Sequence, residues 1–321
     1  MAAVTILSKY FTFVCFLGMV IVMTSLYFLN YNFAQCNCDQ VPSDARIGKE
    51  KNLLRKLRAV IRDVKEWSFN KTNFHYLREK LQDFLKANDY PITENTADFL
   101  QMFVNNFRNN SNLYRRCSIV GNSGILKDSW CGEEIDKADY VFRSNLPYIR
   151  GFTNDAGKKT NFTSFNPSII WRRYNYDILA FNETLNSFTG HVMFATITKS
   201  TPEFLNHVIH STTLGAMVLD RKYLLSLQQF WNLDKKVSTG MLLFTLGLSV
   251  CEEIHLFGYW PFYTDEKGND LPYHYTEDLN WSIISRTDHS MVSEFQKLRE
   301  FHQDGVVKLH IGRCLPCLSN K

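Results

Sequence analysis

CSIVGNSGILKDSWCGEEIDKADYVFRSNL, Cys117 to Leu146, decides the fold. Cys117 to Val120 is an apolar, strand-like run that stops at Gly121-Asn122-Ser123-Gly124. Tyr140 to Arg143 is a second such run. About 90 residues further on lies VSTGMLLFTLGLSVCEEIHLFGYWPF, Val237 to Phe262, with the reverse texture. Small polar residues come first there, then an apolar helix, a strand from Ile254 to Phe257, and a Gly-Tyr-Trp turn. Each stretch couples an apolar core to Asn, Ser, Thr and Gly at a turn, which suits a loop wrapped around a nucleotide at the end of a sheet.

Strands are also predicted at Phe162 to Phe165, Ile178 to Phe181, Val192 to Thr196, Ala216 to Leu219 and Val306 to His310, and helices at Tyr223 to Trp231 and Met241 to Cys251. Strands alternating with helices predict an α/β domain with a mostly parallel sheet, over about 106–321. Before it, Asn30 to about Gly48 reads as a linker, and Lys49 to Lys86 has helical apolar spacing with Lys and Arg between. That basic face could meet lipid headgroups, or it is the solvated side of an amphipathic helix. Another helix is expected at Thr93 to Arg108, and the whole of 30–105 reads as a stem.

At the N-terminus, Tyr10 to Leu29 carries no charge. At about 1.5 Å per residue such a helix spans roughly 30 Å, the hydrocarbon thickness of a bilayer. Lys9 precedes it and the next basic residue is Arg46, so 1–9 is expected in the cytosol and the remainder in a lumen. A cleaved signal peptide would have a shorter apolar core and small residues at its cleavage site, which Phe33-Ala34-Gln35 does not supply. Net charge is +4, mildly basic, and no nucleic-acid-binding signature is present. Sequons at Asn70, Asn109, Asn161, Asn182 and Asn280 are consistent with secretory passage. The chain has eight cysteines; all but Cys15 would face an oxidising compartment, so disulfides are expected.

Three groups can carry chemistry. The Gly121–Gly124 turn lets backbone approach a ligand, and Asn122 offers donor and acceptor together; the same residues also make an ordinary strand-to-helix turn. Ser238-Thr239-Gly240 precedes an apolar helix, so it caps that helix or holds one phosphate or carboxylate on the free N–H groups. His274 and His289 suit proton transfer near neutrality. No Asp-x-Asp occurs, the pair with which many glycosyltransferases hold a metal on a diphosphate.

In this order the residues resemble the animal sialyltransferases, and within them the α2,8 branch. The large motif matches through Cys117, Val120 to Leu126, Cys131-Gly132, Glu134 to Asp136 and Arg143 to Leu146. The small motif matches through Ser238 to Gly240, Cys251 to Ile254 and Gly258 to Phe262. His274 to Glu277 resembles the third motif, and His289 with Glu294 the very small one. Asn166 to Ile170 and Gly258 to Phe262 point to the α2,8 branch. Ser144, Thr276 and Trp130 depart from its usual residues.

The resemblance implies a Rossmann-like sheet, a variant of the GT-A class. It implies metal-independent, inverting transfer of sialic acid from CMP-sialic acid to a glycan acceptor, with no cofactor, on the lumenal face of the Golgi membrane. By it His289 is the general base, and His274 contacts the donor phosphate. Asn122, Asn145, Ser238, Thr239, Gly240 and Trp260 contact the donor, while Glu294 orients its motif. It also implies the bridges Cys117–Cys251 and Cys131–Cys314. Cys36, Cys38 and Cys317 are left over, an odd number that leaves an interchain bridge and a homodimer open.

The acceptor is expected to be a sialylated glycolipid or glycoprotein. Asn206 to Lys236 lacks the strongly basic run of polysialylating members, which favours mono- or oligosialylation. Two other readings are an α2,3- or α2,6-sialyltransferase of the same fold, and a membrane lectin without turnover. The lectin reading rests on Trp231 to Asp234, where Leu233 separates the Asn and Asp that a calcium site wants adjacent.

Overall fold

The computed structural model describes residues 67–87, 114–195, 198–199, 201–219, 221–281 and 289–314, all within one compact unit, Leu54–Lys321. The expected membrane span at 10–29, the helix at 93–108, Asn109, Cys36, Cys38 and Cys317 lie outside the described residues. Among the described residues no helix is long and apolar enough to cross a membrane.

Seven strands form one sheet: β1 Tyr114–Val120, β2 Tyr140–Arg143, β3 Phe162–Phe165, β4 His191–Phe194, β5 Gly215–Val218, β6 Cys251–Phe257 and β7 Lys308–His310. The spatial order is β5-β4-β3-β2-β1-β6-β7, and every neighbouring pair is parallel. β2 and β3 are buried along their whole length, as strands covered on both faces by helices must be. The chain steps outward from β1 to β5 and then returns to lay β6 on the other side of β1. The order therefore reverses between β1 and β6, and in open parallel sheets a ligand crevice opens outside the strand ends at such a point.

Among the described residues the α-helices are α1 Lys71–Ala87, α2 Gly132–Asp136, α3 Thr153–Ala156, α4 Ser168–Arg172, α5 Ile178–Leu185, α6 Thr201–Ser211, α7 Arg221–Phe230, α8 Thr239–Val250 and α9 Met291–Gln303. From Met241 to Val250 every residue of α8 is buried, so this helix is apolar all round and forms the central core against β1 and β6.

Two expectations change. Ile178 to Phe181, predicted as a strand, is the first half of α5. The side chain of Asp177 accepts hydrogen bonds from Leu179 N at 2.8 Å and Ala180 N at 3.2 Å, an N-cap that starts a helix on a run whose apolar content fits either element. The segment from Lys49 to Lys86 is broken within its described part. Residues 67–70 are not helical, and α1 begins where Asn70 Oδ1 accepts from Asn73 N.

That helix also belongs to the globular unit, although 30–105 reads as stem. Phe74, Arg78 and Leu81 of α1 are buried. The Arg78 guanidinium donates to the carbonyls of Leu248 and Cys251, where α8 turns into β6. Asn73 donates to the Asp304 carbonyl after α9. The bridges Cys117–Cys251 and Cys131–Cys314 are present, closing separations of 134 and 183 residues.

Candidate active site

The turns after β1 and β6 meet at the switch point. A Cβ on Gly121 would lie 2.5 Å from the Gly258 carbonyl oxygen, and one on Gly258 would lie 2.6 Å from that of Gly121. Gly258 moreover has φ +70°, so only glycines let the two turns pass. Gly121 N donates to Phe257 O at 2.8 Å and Ser123 N to Gly258 O at 3.2 Å. Ser123 Oγ donates to the Trp260 carbonyl at 2.6 Å.

A third segment docks on the same turn. Gly124 N donates to Tyr273 O at 3.2 Å and Tyr275 N to Asn122 O at 3.0 Å, which sets His274 beside Ser123. The backbone bonds explain how stretches so far apart in sequence meet at one place.

These turns wall a cavity of about 690 Å³. Asn122, Asn145, Ser238 to Gly240, Trp260, His274 and His289 all line it. The structure therefore brings together every proposed catalytic and donor-contact residue, including both imidazoles.

Asn122 Nδ2 donates to the Ser144 carbonyl at 2.9 Å, which leaves Asn122 Oδ1 buried without a partner. Ser144 Oγ and Asn145 Oδ1 are also buried and unpartnered. A buried polar atom left unpaired costs about 1–3 kcal/mol, and three of them sit in residues that line one cavity. Asn145 itself has φ +60°, a left-handed conformation that asparagine tolerates better than most residues.

Ser238 caps α8, with its Oγ accepting from Met241 N at 3.1 Å. The first-turn N–H groups at Thr239 and Gly240 then face the cavity end of that helix, where an anion is favoured. Trp260 contributes little polarity: it is 2% exposed, its indole N–H is taken by the Thr264 carbonyl at 2.8 Å, and its ring packs on Phe262 and Phe295.

Each histidine is held by its Nδ1. For His274 the partner is Asp278 Oδ1 at 3.0 Å, and for His289 the Lys236 carbonyl at 2.8 Å. Both partners only accept, so Nδ1 carries the hydrogen and the neutral ring keeps its lone pair on Nε2.

Asp278 and Arg173 went unnoticed in the sequence. Arg173 Nε donates to Asp278 Oδ2 at 2.7 Å, and its Nη1 donates to the carbonyls of Asn145 and Leu146 at 2.8 and 2.6 Å. Thr276 Oγ1 donates to Asp278 at 2.6 Å. Burial pushes the Asp278 carboxyl up, but bonds from His274 and Thr276 and the Arg173 charge outweigh it and hold the group well below the usual carboxylate range. Asp278 lies four residues after His274, a local spacing that could have flagged it; its pairing with Arg173 spans 105 residues and could not.

Glu294 is 4% exposed, and its Oε1 accepts from Ser238 N at 2.7 Å, fixing the cap of α8. Burial pushes its carboxyl up to about 7 against an ordinary 4.5, with the Ser238 bonds pulling the other way. A folded-state value above the unfolded one gives stability that is complete below about 4.5 and lost as pH rises through about 7. Glu294→Gln keeps the acceptor oxygen and removes the charge. The variant is expected to gain stability on wild type from pH 5 to pH 8, by an amount on the order of 3 kcal/mol, read from thermal melts across that range. A constant difference would show that Glu294 does not titrate between the two states.

Of the sequons, Asn70 and Asn280 are exposed. Asn161 Oδ1 accepts from Val141 N at 2.9 Å at the sheet end, and Asn182 Oδ1 meets His207 Nε2 at 3.0 Å.

The profile of glycosyltransferase family 29 (sialyltransferase) matches residues 62–306, a span that includes α1. A Xenopus laevis protein named alpha-N-acetylneuraminide alpha-2,8-sialyltransferase is 33% identical over 222 residues, 64% of this chain. The present chain spans 61% of that relative's length. The crystal structure of a mammalian sialyltransferase superposes with a TM-score of 0.46 at 20% identity, covering 73% of this chain and 86% of that one. A mammalian sialyltransferase in complex with Gal-beta-1-3GalNAc-ortho-nitrophenol gives 0.45 at 19% identity, covering 77% and 91%. By the match over most of its length, with the large and small motifs meeting at one switch point, the chain belongs to glycosyltransferase family 29, the sialyltransferases.

Proposed function

We propose that this protein is an α2,8-sialyltransferase that moves sialic acid from CMP-sialic acid to the 8-hydroxyl of a sialylated glycan, on a glycolipid or glycoprotein. One observation carries the reading: a single cavity gathers both Nδ1-anchored imidazoles, the unpartnered asparagine oxygens and the capped start of α8. His289 Nε2 takes the acceptor proton as the oxygen attacks C2 of the donor sugar. The bond from C2 to the phosphate oxygen breaks on the opposite face, which inverts the centre, and its electron pair leaves with CMP. Carrying a proton on Nε2 as well, with its Nδ1–H on the Asp278 carboxylate, His274 donates to that departing phosphate, and the first turn of α8 helps to stabilise it without a divalent cation. The uncharged run at 10–29 supports a type II anchor with the catalytic unit on the lumenal side of the Golgi membrane.

The full-length chain incubated with CMP-sialic acid is expected to extend sialylated acceptors and leave asialo ones untouched, with linkage analysis of the product showing α2,8. Product on asialo acceptors only would instead assign α2,3 or α2,6 transfer. Binding of glycan with no turnover would assign the lectin reading.

A further inference from the structure

Along the strand ends the cavity has two chemically different halves. Around the turns after β2, β1 and β6 its wall is amide, hydroxyl, helix cap and the two imidazoles, with Lys236 beside His289 and Glu294 at the cap of α8. Over β3 to β5 it turns cationic, with Arg172 at the end of α4, which follows β3, and Arg221 at the start of α7, which follows β5. Arg172 thus comes from the connection after β3, one strand on from the β2 that Asn145 follows.

Two neighbouring arginines here do different work. The side chain of Arg173 is 1% exposed and bound to Asp278 and two carbonyls. Among the described residues no carboxylate faces Arg172, and its Nε is buried without an acceptor. Its guanidinium lies 4.7 Å over the ring of Trp171, which is 50% exposed. Beside it, Tyr273 stacks on the His274 ring at 4.6 Å and packs against Trp281 at 5.2 Å. An unopposed planar cation next to an aromatic wall, in a cavity about to receive sugars, matches a carboxylate on a pyranose ring.

The donor phosphate already has partners in the other half. A sialylated acceptor adds one anion that an asialo acceptor lacks. We propose that Arg172 binds the carboxylate of the acceptor's terminal sialic acid and so sets the requirement for an already sialylated glycan; this rests on the α2,8 reading above.

The test compares an acceptor ending in α2,3-linked sialic acid as free acid with the same acceptor as methyl ester, using the full-length chain. In wild type, esterification is expected to lower kcat/KM by about tenfold or more, the size of a lost charge-assisted hydrogen bond. Arg172→Gln should lose a similar factor on the free acid, mainly through acceptor KM, with its acid-to-ester ratio falling to near one. Arg172→Lys should recover part of it, and KM for CMP-sialic acid should stay within about twofold in both variants. An unchanged acid-to-ester ratio in Arg172→Gln, or a donor KM raised as much as the acceptor KM, would overturn the assignment alone. A wild-type chain active on asialo acceptor and inactive on the free acid overturns the α2,8 reading and this assignment together.

Discussion

Replacing His289 with alanine is expected to lower kcat for sialyl transfer by about 10²–10⁴-fold, the usual worth of a positioned general base. The Lys236 carbonyl accepts from Nδ1, so Nε2 is the atom left to take a proton, and His289 lines the cavity where the acceptor hydroxyl must arrive. His289→Asn sharpens the test, because its amide can still donate to a carbonyl and yet cannot serve as a base. Both variants should lose transfer to a similar extent while KM for CMP-sialic acid moves little. Transfer by either at the wild-type rate would show that another group accepts the proton.

Arg78→Leu should cost roughly 2–6 kcal/mol of stability, from two buried carbonyls left unpaired at about 1–3 kcal/mol each. The carbonyls are those of Leu248, in the last turn of α8, and Cys251, the first residue of β6. A helix leaves its last carbonyls without intrahelical partners, and here a side chain from a distant helix supplies them. Arg78 is 2% exposed, and burial lowers its pKa to about 10, so the guanidinium stays charged through the neutral range. Urea denaturation with the disulfides intact reads the loss, and Arg78→Lys, with one donor centre in place of a fork, should fall between. If α1 were an appendage of a stem, both variants would melt with wild type.

The same arginine shows where sequence reading stops. Basic residues spaced between leucines look like a solvated face, and only tertiary packing reveals that Arg78 points into the core. All seven strands were readable as short runs rich in apolar and aromatic residues, β1 and β6 most clearly because they stop at Gly121 and Gly258. The four-residue run Ile178 to Phe181 looked the same and is helical, since so short a run carries no period. Asp177 immediately before it was the available signal. At the site, Asn122, Ser238 and the two histidines could be named because motif order singles them out. Arg172 and Arg173 could not, because their meaning depends on a cavity wall and on an ion pair across 105 residues, while the four-residue step from His274 to Asp278 was the one local signal for the carboxylate.

Asp278 grips His274 with one oxygen and Arg173 with the other, while Arg173 grips the carbonyls of Asn145 and Leu146. The His274 imidazole and the loop at Asn145 and Leu146 are therefore yoked, and neither can swing without dragging its counterpart. Grafting the 272–278 segment from a relative to alter specificity would need the matching arginine carried over in the same exchange, or the transplanted ring would hang from an unlatched bracket.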